Sequence, residues 1–286
     1  MRPIHVALAV LINLVWGASF SAARIGLAEL PPMFFTGLRF LLAAILLSFA
    51  LRPLWGQMRA VVMVALTMGA LHFTFLYLGL KAAGGVSAVA VAIQLIAPFS
   101  LLMAVFVLKE RTSAGRLVGA AIAFGGVVLL GFDPVVFDQI AGVLLAVVAA
   151  FFAALGLALM RRMRPVGVFA LQAWTGAISA PILFAVSLAL EDGQLDGMRT
   201  LSAQAVGALA FVVVLTTVIG HGGWYYLLRL YPLSTLVPYG LLAPVFGVAF
   251  GVALYDEPIS ARFLMGAAMT IGGVAVTHLA PRATPA

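Results

Sequence analysis

Long apolar runs separated by short polar connections make up almost the whole chain. A helix that crosses a membrane needs about 20 mostly apolar residues. Ten segments meet this requirement: 4–27, 33–51, 60–80, 86–108, 114–132, 139–160, 166–190, 203–228, 233–255 and 262–280. Prolines lie in several connections, as at Pro31-Pro32, where they cannot interrupt a helix. The pattern predicts an all-α integral membrane protein with ten transmembrane helices.

One stretch of this pattern occurs twice. Residues 110–127 read ERTSAGRLVGAAIAFGGV, and residues 257–274, displaced by 147 positions, read EPISARFLMGAAMTIGGV. Ten of the eighteen positions are identical without a gap, which an Ala/Gly/Val-rich composition does not produce by accident. A period of about half the chain indicates two fused units, whereas a solenoid has short repeats.

The distribution of charge indicates how the chain is oriented. Cytoplasmic loops of membrane proteins carry an excess of Lys and Arg. With the N-terminus inside, most of the basic residues fall in inner connections, and eight of the nine acids, all except Glu110, fall outside. Five helices per unit is an odd number, so the second unit enters the membrane inverted, with Glu110 inside and Glu257 outside. We therefore expect a 5+5 inverted repeat around a central cavity, as in secondary transporters, and both termini in the cytoplasm.

Composition narrows the classes of partner. Apolar residues make up 64% of the chain and charged residues 9%, against roughly 25% charged residues in soluble domains. The net charge of +7 comes from scattered basic residues, so we expect the lipid bilayer as a partner and no nucleic acid. The chain has no cysteine and no nucleotide-binding G-x-x-x-x-G-K-[ST] motif. We expect no cofactor and no metal.

Proline interrupts the fourth and ninth predicted spans at matching places. Pro98 and Pro244 each follow an alanine and precede the shared glutamate by 12 and 13 residues. A proline inside a helix frees the carbonyl four residues back, here those of Gln94 and Gly240. Paired interruptions in transporters point to the binding site, so Gln94, Pro98 and Pro244 are candidate substrate-binding residues. A simple packing kink is the alternative.

The third and eighth predicted spans each carry one histidine near mid-depth, His72 and His221. Aromatic residues follow both, among them Tyr77 in the third span and Trp224 and Tyr225 in the eighth. Such side chains can stack a substrate and bond its polar groups, or the histidines can exchange protons. A buried histidine bonded to a neighbouring helix is the alternative. All five residues belong to the candidate site.

Polar and aromatic residues in other spans complete the candidate set, because hydrocarbon offers polar groups no partners. They are Asn13 and Trp16 in the first span, Gln172 and Trp174 in the seventh, and Tyr239 in the ninth. A Trp near the end of a span can instead anchor the helix at the membrane interface.

Arg39 lies inside the second predicted span, about six residues past its outer start. It could neutralise a substrate carboxylate. It could also extend to the outer surface and bond loop carbonyls, and this structural role is our expectation.

Several of these motifs together resemble a known family. The string Asn13-Leu-Val-Trp-Gly17, the segments Pro31-Pro32 and Gly37-Leu-Arg-Phe40, the paired prolines and the repeated Glu-x8-Gly-x5-Gly resemble EamA-type transporters of the drug/metabolite transporter superfamily. The resemblance covers nearly the whole chain as two EamA units, 6–131 and 142–279. It implies ten helices, a cavity lined by both units, and export across the bacterial inner membrane.

The expected function is that of a secondary transporter exporting small metabolites, amino acids or close derivatives, by alternating access. The chain resembles bacterial exporters of cysteine and O-acetylserine most, but the aromatic cluster from Trp224 to Tyr226 departs from them. The alternative is a proton-coupled exporter of drugs or cationic compounds. Small-multidrug-type antiporters use a glutamate in the first span, and no acid lies there.

An intramembrane enzyme is not expected, and no residue is assigned as catalytic. A rhomboid-like serine protease needs a glycine after its serine, and Phe20 follows Ser19. The predicted partners are therefore a small-molecule substrate and the bilayer. The sequence leaves the oligomeric state open, a monomer included.

Overall fold

All regular structure in the described part of the chain is helical. The computed structural model describes residues 1–231 and 233–280, with positions 233, 234, 237 and 238 described by their backbone alone. In chain order the helices are α1 Pro3–Glu29, α2 Pro32–Leu46, α3 Met58–Ala83, α4 Ser87–Phe106, α5 Ala114–Gly131, α6 Pro134–Phe137, α7 Ile140–Met160, α8 Val168–Leu190, α9 Gln194–Arg199, α10 Ala203–Leu230, α11 Leu233–Gly240, α12 Leu242–Tyr255 and α13 Ala261–Leu279.

Eight helices of this described part are long and apolar enough to cross a membrane: α1, α3, α4, α5, α7, α8, α10 and α13. The second and ninth predicted spans differ from expectation. Helix α2 has 15 residues and continues only as a 3-10 turn, Ser48–Ala50. The ninth span is divided at Leu241 into α11 and α12, because Pro244 has no N–H to donate to the carbonyl of Gly240.

The two copies of the repeated stretch cross each other in α5 and α13. A Cβ atom added to Gly126 would lie 2.6 Å from the carbonyl oxygen of Gly266, and one added to Gly273 would lie 2.6 Å from that of Gly119. The contacts run in opposite numerical order, so the two helices cross antiparallel. Glycine at these four positions lets the backbones approach this closely.

The copies also share an unusual backbone at their starts. Lys109 and Asp256 are the described non-glycine residues with positive φ, at 58° and 50°. They are equivalent in the repeat and directly precede Glu110 and Glu257. The N–H of Glu110 donates to the carbonyl of Ala104 at 2.9 Å, and that of Glu257 donates to the carbonyl of Gly251, six residues back in both cases, at 3.3 Å. The repeated sequence therefore folds twice into the same local structure.

Contacts among the connections fall into two groups. In the first group, carboxylates accept backbone N–H groups near helix starts: Glu29 from Ser202 at 2.7 Å, Glu191 from Met33 at 2.8 Å and Glu257 from Val86 at 2.6 Å. In the second group, Arg162 donates to the carbonyl of Val107 at 2.8 Å, the N–H of Arg164 donates to Gln57 at 2.7 Å, and His5 lies 2.7 Å from the hydroxyl of Tyr231. The hydroxyl of Ser260 also donates to the carboxylate of Asp133, which places the connection after α5 in the first group. Successive connections therefore alternate between the two groups along the described chain.

Candidate functional site

An aromatic cluster joins α1 to α10. The ring of Trp16 lies 5.9 Å from that of His221 and 5.4 Å from that of Trp224. A Cβ atom at Gly220 would lie 2.6 Å from the indole nitrogen of Trp16, so glycine there lets the indole approach α10. Tyr239 of α11 packs into the same apolar group. Four predicted site residues, one from the first half of the chain and three from the second, are thus brought together.

Asn13 lies one helical turn before Trp16 on α1, on the same face. Its side chain is fully buried, and its amide nitrogen donates to the carbonyl of Ala9 at 2.8 Å. Its amide oxygen accepts no hydrogen bond from the described residues. This oxygen is therefore an unused acceptor beside the aromatic cluster. Leaving a buried polar atom unpaired in this way is costly.

His72 is buried on α3 and bonded to a neighbouring helix. Its Nδ1 lies 2.9 Å from the carbonyl oxygen of Ala149 on α7. A carbonyl only accepts, so Nδ1 carries the proton and donates. This contact fits the structural alternative for His72 and leaves Nε2 as its second polar atom.

Arg39 of α2 is buried, with 7% of its surface exposed. Its Nη1 donates to the hydroxyl of Tyr77 on α3. Its guanidinium carbon lies 4.0 Å from the ring centre of Phe73, a cation–π contact. The expectation that Arg39 extends to the outer surface is therefore wrong: the guanidinium is held between helices by α3. Phe73 and Tyr77 make this buried position possible, since the ring of Phe73 attracts the cation and the hydroxyl of Tyr77 accepts a hydrogen bond from it.

Irregular helical turns lie beside the candidate residues in both halves. A π-helical segment, Ala65–Leu71, ends just before His72, and another, Phe211–Gly222, contains His221. A 3-10 turn, Ile93–Leu95, contains Gln94 and precedes the buried Pro98. Together with the division of the ninth span before the buried Pro244, the irregularities occur in matching spans. Such local departures from α-helix are frequent at functional sites.

Gln172, Trp174 and Tyr225 are three of the predicted residues that lie outside the aromatic cluster. The indole N–H of Trp174 donates to the carbonyl of Arg52 at 2.9 Å, near the start of α8. Gln172 is half-buried two residues earlier on the same helix. Tyr225 is 39% exposed. The described contacts do not join these three to Trp16 or His221, and their role in binding stays a prediction.

Both halves of the chain match one model of a known protein family. The model of the EamA-like transporter family matches residues 3–132 and again residues 140–279. The chain belongs to the EamA-like transporter family. As a member of that family it is a multi-pass membrane protein and a transporter, and the resemblance drawn from its motifs is confirmed.

Curated relatives of this EamA-like transporter cover nearly its whole length. A "probable amino-acid metabolite efflux pump" of Escherichia coli is 28% identical over 93% of this chain and 92% of its own. The protein of the same description in Salmonella typhimurium is 30% identical over the same shares. An "uncharacterized transporter" of Archaeoglobus fulgidus is 26% identical over 91% of this chain and 93% of its own.

A solved crystal structure has the same fold. It superposes with a TM-score of 0.62 at 20% identity, covering 96% of both chains. At this identity the similarity concerns the architecture, so the chemistry of the EamA-like transporter must be argued from its own residues.

Arg39 is a further buried polar residue that contacts a predicted site residue, Tyr77. The available signal was a permanent charge inside an apolar span, which in membrane proteins marks a functional position by default. The direction of its side chain depends on Phe73 and Tyr77, one helix away, and a linear pattern does not specify that contact.

Proposed function

We propose that this EamA-like transporter exports amino acids or close derivatives across the bacterial inner membrane by alternating access. Its substrate would bind in a cavity between two units, 6–131 and 142–279. The observation that carries the proposal is the contact of Trp16, from the first unit, with His221 and Trp224, from the second. A site built by both units changes its access when the units move relative to each other.

The proposed topology has ten crossings arranged as a 5+5 inverted repeat, with both termini in the cytoplasm. It is supported by the alternation of the connections between two contact groups, and by the antiparallel crossing of α5 and α13. Helices α2 and α12 would supply the two additional crossings, with α11 extending α12 across the break at Leu241.

The movement we propose opens the two ends in turn. One end is joined by Arg24 and Glu257, whose charged atoms lie 3.0 Å apart. The other is joined by Arg161 and Glu110, 3.3 Å apart. Each pair connects one unit to the other, so separating the units at one end breaks one pair and can leave the other intact. Export would draw its energy from gradients, and no nucleotide is required.

The proposed substrate class is supported by the printed names of two relatives and by the mixed surface of the site. Indole faces suit apolar side chains, while the amide of Asn13 and the imidazole of His221 suit polar groups. The cationic-drug alternative receives less support because the interior carries the positive Arg39, and no acid of the described residues lies within 4.0 Å of it.

Counterflow in reconstituted liposomes tests the proposal. A panel of labelled amino acids, sugars and lipophilic cations should give exchange of amino acids by the wild type. Trp16→Ala and Trp224→Ala should lower that exchange at least about 10-fold, because each removes stacking area from the site.

Trp55→Ala is the matched control, since this tryptophan is 84% exposed and should leave exchange within about 2-fold of wild type. Exchange of sugars or cations without amino acids would contradict the proposed substrate. An equal loss in all three variants would contradict the proposed site.

A further inference from the structure

Arg39 carries a positive charge that its protein surroundings do not neutralise. The described residues form three salt bridges, Arg24 with Glu257, Arg161 with Glu110 and Arg199 with Asp196. All nine acids of the chain lie in the described part, and none is within 4.0 Å of the Arg39 guanidinium. A buried ion without a counter-ion is costly, even after local relaxation.

The contacts that do exist compensate this charge only in part. The face of Phe73 and the hydroxyl of Tyr77 provide an attractive ring and one acceptor. A guanidinium has five N–H donors in a planar fork. Its bond to Tyr77 therefore leaves other N–H groups that could donate to the two oxygens of a carboxylate side by side.

The position of Arg39 connects it to the candidate site. Phe73, whose ring centre lies 4.0 Å from the guanidinium carbon of Arg39, has its ring 4.6 Å from that of His72. Helix α2 also packs against the segment Phe211–Gly222 of α10, which contains His221. His221 in turn contacts Trp16. Arg39 and the aromatic cluster thus belong to one group of packed helices, α1, α2, α3 and α10.

We propose that Arg39 binds the α-carboxylate of the transported amino acid. This assignment rests on the proposed function and specifies the feature of the substrate that is recognised. The carboxylate would supply the missing negative charge, and the aromatic cluster would contact the rest of the molecule. Arg suits this role because its planar fork matches a carboxylate, which a lysine ammonium does not.

The test compares acids with their amides, which have nearly the same size and lack the carboxylate charge. The three pairs are L-phenylalanine and L-phenylalaninamide, L-leucine and L-leucinamide, and L-serine and L-serinamide. In wild-type liposomes the best acid should compete for exchange at least about 10-fold more strongly than its amide, as expected for a charge-assisted pair. In Arg39→Gln the two should compete within about 2-fold of each other.

The ratio distinguishes binding from folding. A structural role alone would lower competition by acid and amide equally and leave their ratio unchanged, which would overturn the proposal. Arg199→Gln is the matched control, because it removes the charge of an arginine whose side chain is 77% exposed, so the preference for the acid should persist. Loss of the preference in Arg199→Gln as well would show that it does not depend on Arg39 specifically and would count against a direct contact.

Arg39→Lys covers the case in which Arg39→Gln does not fold. It keeps the charge and loses the fork, so the acid-to-amide ratio should fall at least about 3-fold, and an unchanged ratio would overturn the proposal. A wild type that exchanges acids and amides equally would refute the carboxylate assignment and leave export standing. A wild type that exchanges no amino acid would refute the proposed function itself.

Discussion

The two copies of the repeated stretch share a backbone and differ in what surrounds their first residue. Glu257 has a side chain only 12% exposed, and it accepts the N–H groups of Val86 at 2.6 Å and Ser87 at 2.8 Å besides its bond to Arg24. Glu110 contacts Arg161 with a side chain that is 52% exposed. The same local sequence therefore lies in a packed environment at one end of the molecule and in an open one at the other.

The difference in exposure between the two glutamates arises from the contacts between the units. Local backbone is equal in both copies, from the positive φ of Lys109 and Asp256 to the hydrogen bonds of the two glutamates. The environment of each glutamate depends on the opposite unit. Arg24 of the first unit contacts Glu257, and Arg161 of the second unit contacts Glu110. The repeat supplies two equivalent glutamates, and under the proposed alternating access the conformation would decide which of them is packed.

The largest expected effect concerns the side of the membrane on which each copy begins. Arg111 and Pro258 are equivalent in the repeat, and both are exposed. The chain has no cysteine, so Arg111→Cys and Pro258→Cys each introduce a single thiol. A membrane-impermeant maleimide should label Pro258→Cys from the periplasmic side and Arg111→Cys only in inside-out vesicles, an all-or-none difference.

Detergent-solubilised protein is the control for this labelling, because both thiols should react once the membrane is removed. Labelling of both variants from the same side would refute the inverted repeat, and with it the proposed alternating access.

The next largest effect is expected where the copies cross. Gly126→Ala and Gly273→Ala place a methyl group 2.6 Å from a carbonyl oxygen of the opposite helix, and neither backbone can move without separating α5 from α13. We expect each to lower the free energy of unfolding by about 2–3 kcal/mol. Thermal unfolding of the purified protein in detergent measures the change.

Neighbouring glycines provide the controls. A Cβ atom at Gly272 meets nothing within 4 Å, and one at Gly125 lies 3.7 Å from the methyl group of Met269. Gly125→Ala and Gly272→Ala should therefore be neutral or slightly stabilising, since alanine favours a helix by up to about 1 kcal/mol over glycine. Equal destabilisation at all four positions would show that the crossing is not specific.

Sequence patterns predicted the long helices well, because these depend on local features. The apolar runs located the eight helices long enough to cross a membrane, and Pro244 predicted the irregularity before α12. The short helices α6 and α9 lie in connections that the apolar runs did not mark. The direction of Arg39 was not predictable in this way, since it depends on Phe73 and Tyr77 of another helix. The grouping of Trp16 with His221 likewise depends on how α1 and α10 pack, and the pattern provided only the residue types.

The smallest of the three expected effects is the difference in stability when the charge of each glutamate is removed. Glu257→Gln keeps the size of the side chain and removes the charge that Arg24 and two backbone N–H groups share. Because this carboxylate is largely buried, we expect a loss of about 2 kcal/mol in thermal unfolding, little affected by salt. The matched variant Glu110→Gln should cost less than about 0.5 kcal/mol, and added salt should abolish that difference, since the pair is exposed. Equal costs for the two variants would mean that both ends are equally packed in solution, and the asymmetry between the copies would then not describe the resting protein.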